Sequence, residues 1–309
     1  MVPGFSVNRE QIDESPARAA WRNRVPDSAD RARPAGPRLM DMIGFLAGDH
    51  SLSILCILAG VAFIAGAFDA IAGGGGLVTV PALVIAGLDP VSAIATSKLQ
   101  ATLGAVSATT SFGRAGLIEW RRIWPAALLA CVGSVLGALA ISSVPQQAVK
   151  TGLPFLLIAM ALYFALSPKM TDDDAGQRIS MAAFCVTAAI VIGFYDGAFG
   201  PGTGSFFMIA FVLLLGWGVV WATAHTKLLN LASILGSLSI YLFHGLVHWR
   251  IGVVMGLGAF IGALVGSRLA IRAGARLIRP LLMVVCCAIA FKLMLAPAHP
   301  VHQWLAGRL

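Results

Sequence analysis

Asp69, Lys98, Asp196 and Lys227 are the residues of this 309-residue chain whose types and spacing could do chemistry. Between Ser51 and Phe112 the Asp, Glu, Lys and Arg residues are Asp69, Asp89 and Lys98; between Met181 and Phe243 they are Asp196 and Lys227. The rest of both stretches is uncharged and mostly apolar. A charged side chain at the centre of a bilayer costs about 2.5 to 3.5 kcal/mol, so charges kept there line a pathway or pair with one another. The plainest pairing sets each Asp against the Lys of its own stretch and pins two helices. A second chemistry is the binding of an anion. Each ammonium offers a point charge and three donors, while nearby hydroxyls and amides fix orientation. Those neighbours are Thr96, Ser97 and Gln100 beside Lys98, and His225, Thr226 and Asn230 beside Lys227. Together they describe a small oxyanion pocket, with Asp69 and Asp196 compensating the lysines when it is empty. His225 could also titrate near neutral pH and couple a proton to the anion, although a lone membrane histidine more often serves as a structural donor.

Each acid precedes a glycine run, GAFDAIAGGGG from Gly66 to Gly76 and GFYDGAFGPGTG from Gly193 to Gly204. Glycine costs about 1 kcal/mol and proline about 3 kcal/mol inside a helix. A regular helix must therefore break at Gly73, Gly74, Gly75 and Gly76, and again at Gly200, Pro201, Gly202 and Gly204. Short apolar stretches follow, Leu77 to Leu88 and Ser205 to Gly216. At 1.5 Å per residue each covers about 18 Å, half a bilayer, as a half-helix or re-entrant segment does. The first turn of such a segment presents unpaired N–H groups and about half a positive charge, which suits an anion. Thr203 belongs to the same pocket, but Pro201 and Thr203 stand where the first run has Gly74 and Gly76, so its two sides are unequal. Broken backbone at membrane depth is tolerated only where it faces protein or water. Glycine pairs such as Gly133 with Gly137 and Gly262 with Gly266 are explained by close helix packing alone; four consecutive glycines exceed that need.

The positions recur in register. Asp69 and Asp196 lie 127 residues apart, and Lys98 and Lys227 lie 129 apart. GLIEWR from Gly116 to Arg121 echoes GLVHWR from Gly245 to Arg250, and Gly133 and Gly137 echo Gly262 and Gly266, again at 129. Two related halves whose repeated features meet at one site are the consequence, and paired, Gly/Pro-interrupted short segments mark the midplane site of a transporter. With 58% hydrophobic and 12% charged residues the chain is not an ordinary soluble domain. Membrane helices are expected near 51–72, 91–112, 123–143, 150–167, 180–199, 219–243, 251–270 and 280–296. Strict alternation is absent, so barrel strands are set aside. The predicted fold is thus all-α, a polytopic membrane protein of two duplicated helical repeats with broken or re-entrant half-helices. Its parts are a polar, disordered tail over 1–50, a first membrane repeat over 51–168, a polar linker over 169–179, a second repeat over 180–296 and a C-terminal tail over 297–309. No cleaved secretory signal is expected, and composition offers Met40 or Met42 as alternative starts. The net charge of +8 reflects arginines beside apolar spans and points to membrane orientation, not to nucleic acid. The five cysteines form no CxxC pair and read as buried thiols. Nothing in the pattern calls for a cofactor or a metal, and oligomeric state is not legible.

At these residues the chain resembles the TauE/SafE family, over about residues 55–295. The resemblance rests on GAFDAIAGGGGLVTVPAL with ATSKLQA and on GFYDGAFGPGTGSF with HTKLLN. It implies a polytopic inner-membrane permease of duplicated helical units that moves small anions such as sulfite, organosulfonates or carboxylates. A passive anion channel is the nearest alternative. An intramembrane enzyme using Ser97 and Lys98 is disfavoured because adjacent helical residues do not face each other. Arginines at 114–122 and 268–279 prefer one side of the membrane, favouring inverted halves, while Arg31, Arg33 and Arg38 prefer a cytoplasmic tail and parallel halves.

Overall fold

The computed structural model describes residues 52–145, 147–149 and 176–273. The expected tails, the expected helices at 150–167 and 280–296 and most of the linker lie outside the described residues. Those described are helical: α1 (Leu52–Ala72), α2 (Gly76–Ile85), α3 (Pro90–Arg114), α4 (Trp120–Ser142), α5 (Met181–Ala198), α6 (Thr203–Leu215), α7 (Val219–Phe243) and α8 (Trp249–Ala273). Helices α1, α4, α5, α7 and α8 are long and apolar enough to cross a membrane. Helix α3 has spanning length at 25 residues, but Lys98 and a row of hydroxyls lower its hydropathy. The chain is a multi-pass membrane protein, and α2 and α6, at 10 and 13 residues, are each shorter than a full bilayer crossing.

Boundaries follow local chemistry. Helix α2 stops short of the expected Leu88 because Gly87 adopts φ +101°, closing the end with bonds from Gly87 N–H to Val84 O and Leu88 N–H to Leu83 O. Asp89 caps α3, accepting from Val91 N–H at 3.2 Å and Ser92 N–H at 3.1 Å. Burial opposes ionisation of Asp89, but the hydrogen bonds from Ser92 and Val91 outweigh it and hold the carboxyl below its usual value. The third acid of the first stretch is thus a capping residue. Helix α5 carries an unforeseen π turn over Cys185–Ala189.

Small residues set the packing. A methyl group added at Gly133 or Gly137 would collide with the carbonyls of Ile190 or Phe194, locking α4 to α5. The same addition at Gly258, Gly262 or Gly266 would strike the carbonyls of Ala59, Phe63 or Ala67, locking α8 to α1. Without a hydrophobic force between helices in lipid, such backbone approach supplies the contact energy. Residue numbers rise together across both interfaces, so each pair runs parallel. Helix α3 also parallels α8, with Leu99 on Gly252, Leu103 on Gly256, and Ser107 Oγ donating to Phe260 O at 2.9 Å. Helix α7 parallels α4, with His225 at Glu119 and Gly236 on Cys131. Short turns at 115–119 and 244–248 reverse the chain. Helices α1, α3 and α8 therefore point one way, and α4, α5 and α7 the other.

Gly137→Leu and Gly266→Leu should each lower the thermal midpoint of the detergent-solubilised protein, measured by fluorescence-detected size exclusion. Overpacking costs about 1–3 kcal/mol, and a rigid carbonyl opposite places both at the upper end.

Candidate functional site

The two helix breaks touch each other. Ser205 N–H donates to Gly73 O at 3.1 Å, and Ser205 Oγ donates to Ala72 O at 2.6 Å. Gly73 takes φ +81°, and a side chain there would run into the backbone of Gly204 and Ser205, so only glycine allows both the turn and the approach. In the second break, Tyr195 OH donates to Pro201 O at 2.6 Å and Thr203 Oγ1 to Gly200 O at 2.7 Å. These bonds satisfy carbonyls that a continuous helix would have used.

Each lysine reaches across the chain's midpoint and not to the acid of its own stretch. Lys98 Nζ lies 2.7 Å from Asp196 Oδ1 and donates to Asp196 O at 2.5 Å. Lys227 Nζ donates to the backbone carbonyl of Asp69. Lys98 is 3% exposed and Lys227 1%, so neither charge is relieved by outside solvent. The acids are used differently. Asp196 is buried and also accepts from Ser233 Oγ. Asp69 is half-buried, and its Oδ1 accepts from Gly75 N–H at 3.0 Å, capping the start of α2. The pairing of each Asp with its own Lys is therefore corrected. Helix α1 brings Asp69 toward the base of α7, and α5 brings Asp196 toward α3.

A cavity of about 30 Å³ opens here, lined among others by Asp69, Gly73, Gly76, Ser97, Lys98 and Asp196. Gly200, Gly202 and Asn230 complete the expected residues on its wall. A second cavity of about 20 Å³ lies against Asp69, Gly75, Gly76 and Gln100. Both hold water-sized guests. Gln100 is 4% exposed, and its Oε1 has no hydrogen-bond partner.

Other expected site residues have different surroundings. Gly74 packs under Phe68. Thr96 Oγ1 accepts from His248 N–H at 3.1 Å, and His225 Nε2 accepts from Glu119 N–H at 3.1 Å, so both tie a turn to a helix. The other ring nitrogen of His225 lies 2.8 Å from Trp221 O, which assigns the proton to Nδ1. Thr226 is buried with an unpartnered hydroxyl, and Thr203 bonds within its own turn. Ser205, Ser233 and Thr79 were not singled out from sequence. Ser233 follows Lys227 and Asn230 at helical spacing, a signal that could have found it; Ser205 offers none.

The profile of the family described as "Sulfite exporter TauE/SafE" matches residues 58–293. The chain belongs to the TauE/SafE family. Relatives agree on the broad activity. A "Probable membrane transporter protein ORF9" of Sinorhizobium sp is 50% identical over 257 residues, 83% of this chain and 98% of that protein. The "Probable membrane transporter protein YfcA" of Escherichia coli K12 is 43% identical, over 82% of this chain and 94% of its own. A "Probable membrane transporter protein" of Haemophilus influenzae is 42% identical, over 80% and 96%. No solved structure matches the chain. This TauE/SafE member is a membrane transporter of the cell membrane.

Lys98→Met should destabilise the protein by about 3–5 kcal/mol, because it leaves the Asp196 carboxylate buried and unpaired. Lys98→Met with Asp196→Leu should recover most of that loss, read as the thermal midpoint in detergent.

Proposed function

We propose that this chain is a secondary transporter of a small anion, held between two repeats of opposite orientation by Lys98, Lys227 and the first amides of α2 and α6. The contact of the two breaks, through Ser205 with Gly73 and Ala72, carries this reading. It brings two half-helix starts and Lys98 around one polar cavity, with Lys227 behind its wall on the carbonyl of Asp69, an arrangement that suits a midplane site. Sulfite, an organosulfonate or a carboxylate fits the donor set of ammonium, hydroxyl and backbone N–H. The cavity is smaller than such an anion, so binding requires the walls to part, as a carrier does and an open pore does not need.

Helix directions support the inverted arrangement. Helices α1 and α3 run parallel, so the chain must return along α2 between them; the same holds for α5, α6 and α7. Contacts at matched positions support duplication: Gly66 meets Ala259 as Gly193 meets Ala130, and Thr96 meets His248 as His225 meets Glu119. Ser97 Oγ is committed to Ile94 O at 2.7 Å, which weighs against a nucleophile beside Lys98.

Purified protein in proteoliposomes should take up labelled sulfite, isethionate or acetate saturably. Lys98→Gln and Lys227→Gln should each insert normally yet lose at least tenfold in flux; normal flux in both removes the assignment. In a cysteine-free background, cysteines at Leu117 and Leu246 should react with an impermeant maleimide from opposite faces. Leu117, beside Arg114, Arg121 and Arg122, should be the cytoplasmic one.

A further inference from the structure

We propose that Asp69 binds a proton that travels with the anion, and that its ionised carboxylate competes with that anion for the first amides of α2; this rests on the reading given under Proposed function. Asp69 Oδ1 already occupies the N–H of Gly75, one of the unpaired donors at the start of α2. While ionised, Asp69 is a resident anion on that helix end. An incoming oxyanion needs the same N–H and meets a like charge.

Protonation changes both terms. It removes the repulsion and weakens the charge-assisted bond to Gly75, but the new O–H then needs an acceptor. Gln100 supplies one. Its Oε1 is buried without a partner, and the residue lines the same 20 Å³ cavity as Asp69 and Gly75. An unpartnered buried amide oxygen is costly when Asp69 is a carboxylate and satisfied when Asp69 is a carboxylic acid.

The other titratable groups of the site cannot take this part. Asp196 is filled by Lys98 and Ser233, and protonating it would leave Lys98 unpaired. His225 uses both ring nitrogens on backbone groups and is absent from the walls of both cavities. The charged groups around Asp69 are Lys227 from α7, Lys98 from α3 and Asp196 from α5. Because the Lys227 ammonium rests on the carbonyl of Asp69 itself, a metal cation at that residue would be repelled. A proton only neutralises the carboxylate.

Binding of proton and anion is then mutually favourable, and linkage makes the effect reciprocal. No bond other than O–H is made or broken. The proton arrives from the side on which the anion enters and leaves with it.

The test has two arms. In infrared difference spectra of the purified protein, acidification should bring up a carboxylic-acid carbonyl band that Asp69→Asn lacks and Asp196→Asn retains. Gln100→Leu, which keeps the carboxyl but removes its acceptor, should move that band to lower pH. Persistence of the band in Asp69→Asn overturns the proposal. In the second arm, isethionate is the probe, since its charge is fixed across the range. Wild-type affinity should weaken with rising pH, by up to about tenfold per pH unit, and Asp69→Asn should be flat. A flat wild-type profile overturns the competition. Loss of the band in Asp69→Asn with no binding of sulfite, isethionate or acetate would keep the proton site and remove the anion reading instead.

Discussion

A lysine ammonium enclosed in the membrane zone must be answered by a carboxylate or by backbone carbonyls, and the site is built around that requirement. Lys98 takes both from Asp196, and Lys227 takes a carbonyl from Asp69. The Asp196 carbonyl is available because the break turns the Gly200 N–H to Tyr195 O, whereas the Asp69 carbonyl still accepts from Gly73 N–H at 2.8 Å and is shared with Lys227. At the second break the backbone and the charge therefore depend on each other: a continuous helix would bond the Asp196 carbonyl itself, and without Lys98 the loosened carbonyl would go unmet. Both links cross the midpoint of the sequence.

The surrounding helices bring these groups together by backbone contact. Parallel pairs α1 with α8 and α4 with α5 approach at glycine, where any side chain would meet a carbonyl. Lipid tails are as apolar as leucine, so larger apolar residues would gain little by facing another helix. That accounts for the distribution of bulk. Leu128, Leu136, Phe260 and Ile261 face outward, while alanine and glycine fill the interfaces.

Matched positions do not behave identically. Asp196 is buried in an ion pair, whereas Asp69 is half-buried and caps α2. Ser233 stands on α7 where α3 has Gly104, so one acid has an extra donor and the other has open space. Asp69 is therefore the less enclosed of the two acids.

The sequence by itself determined the class, the helix periods, the breaks and the charged residues, because each rests on a local cost: apolar length, glycine and proline in a helix, charge in lipid. Helix α7 was legible to the residue at 219–243, and α2 missed its end only through the turn at Gly87. Lys98, Ser97, Gln100, Asn230 and most of the glycines of the cavity walls were legible for the same reason. Partnership was not. That Lys98 answers Asp196, that Thr96 and His225 hold turns, and that Ser205 bridges the two breaks were decided by tertiary structure alone. Such contacts join residues far apart in the chain, and helix packing sets the distance between them, which no local preference encodes.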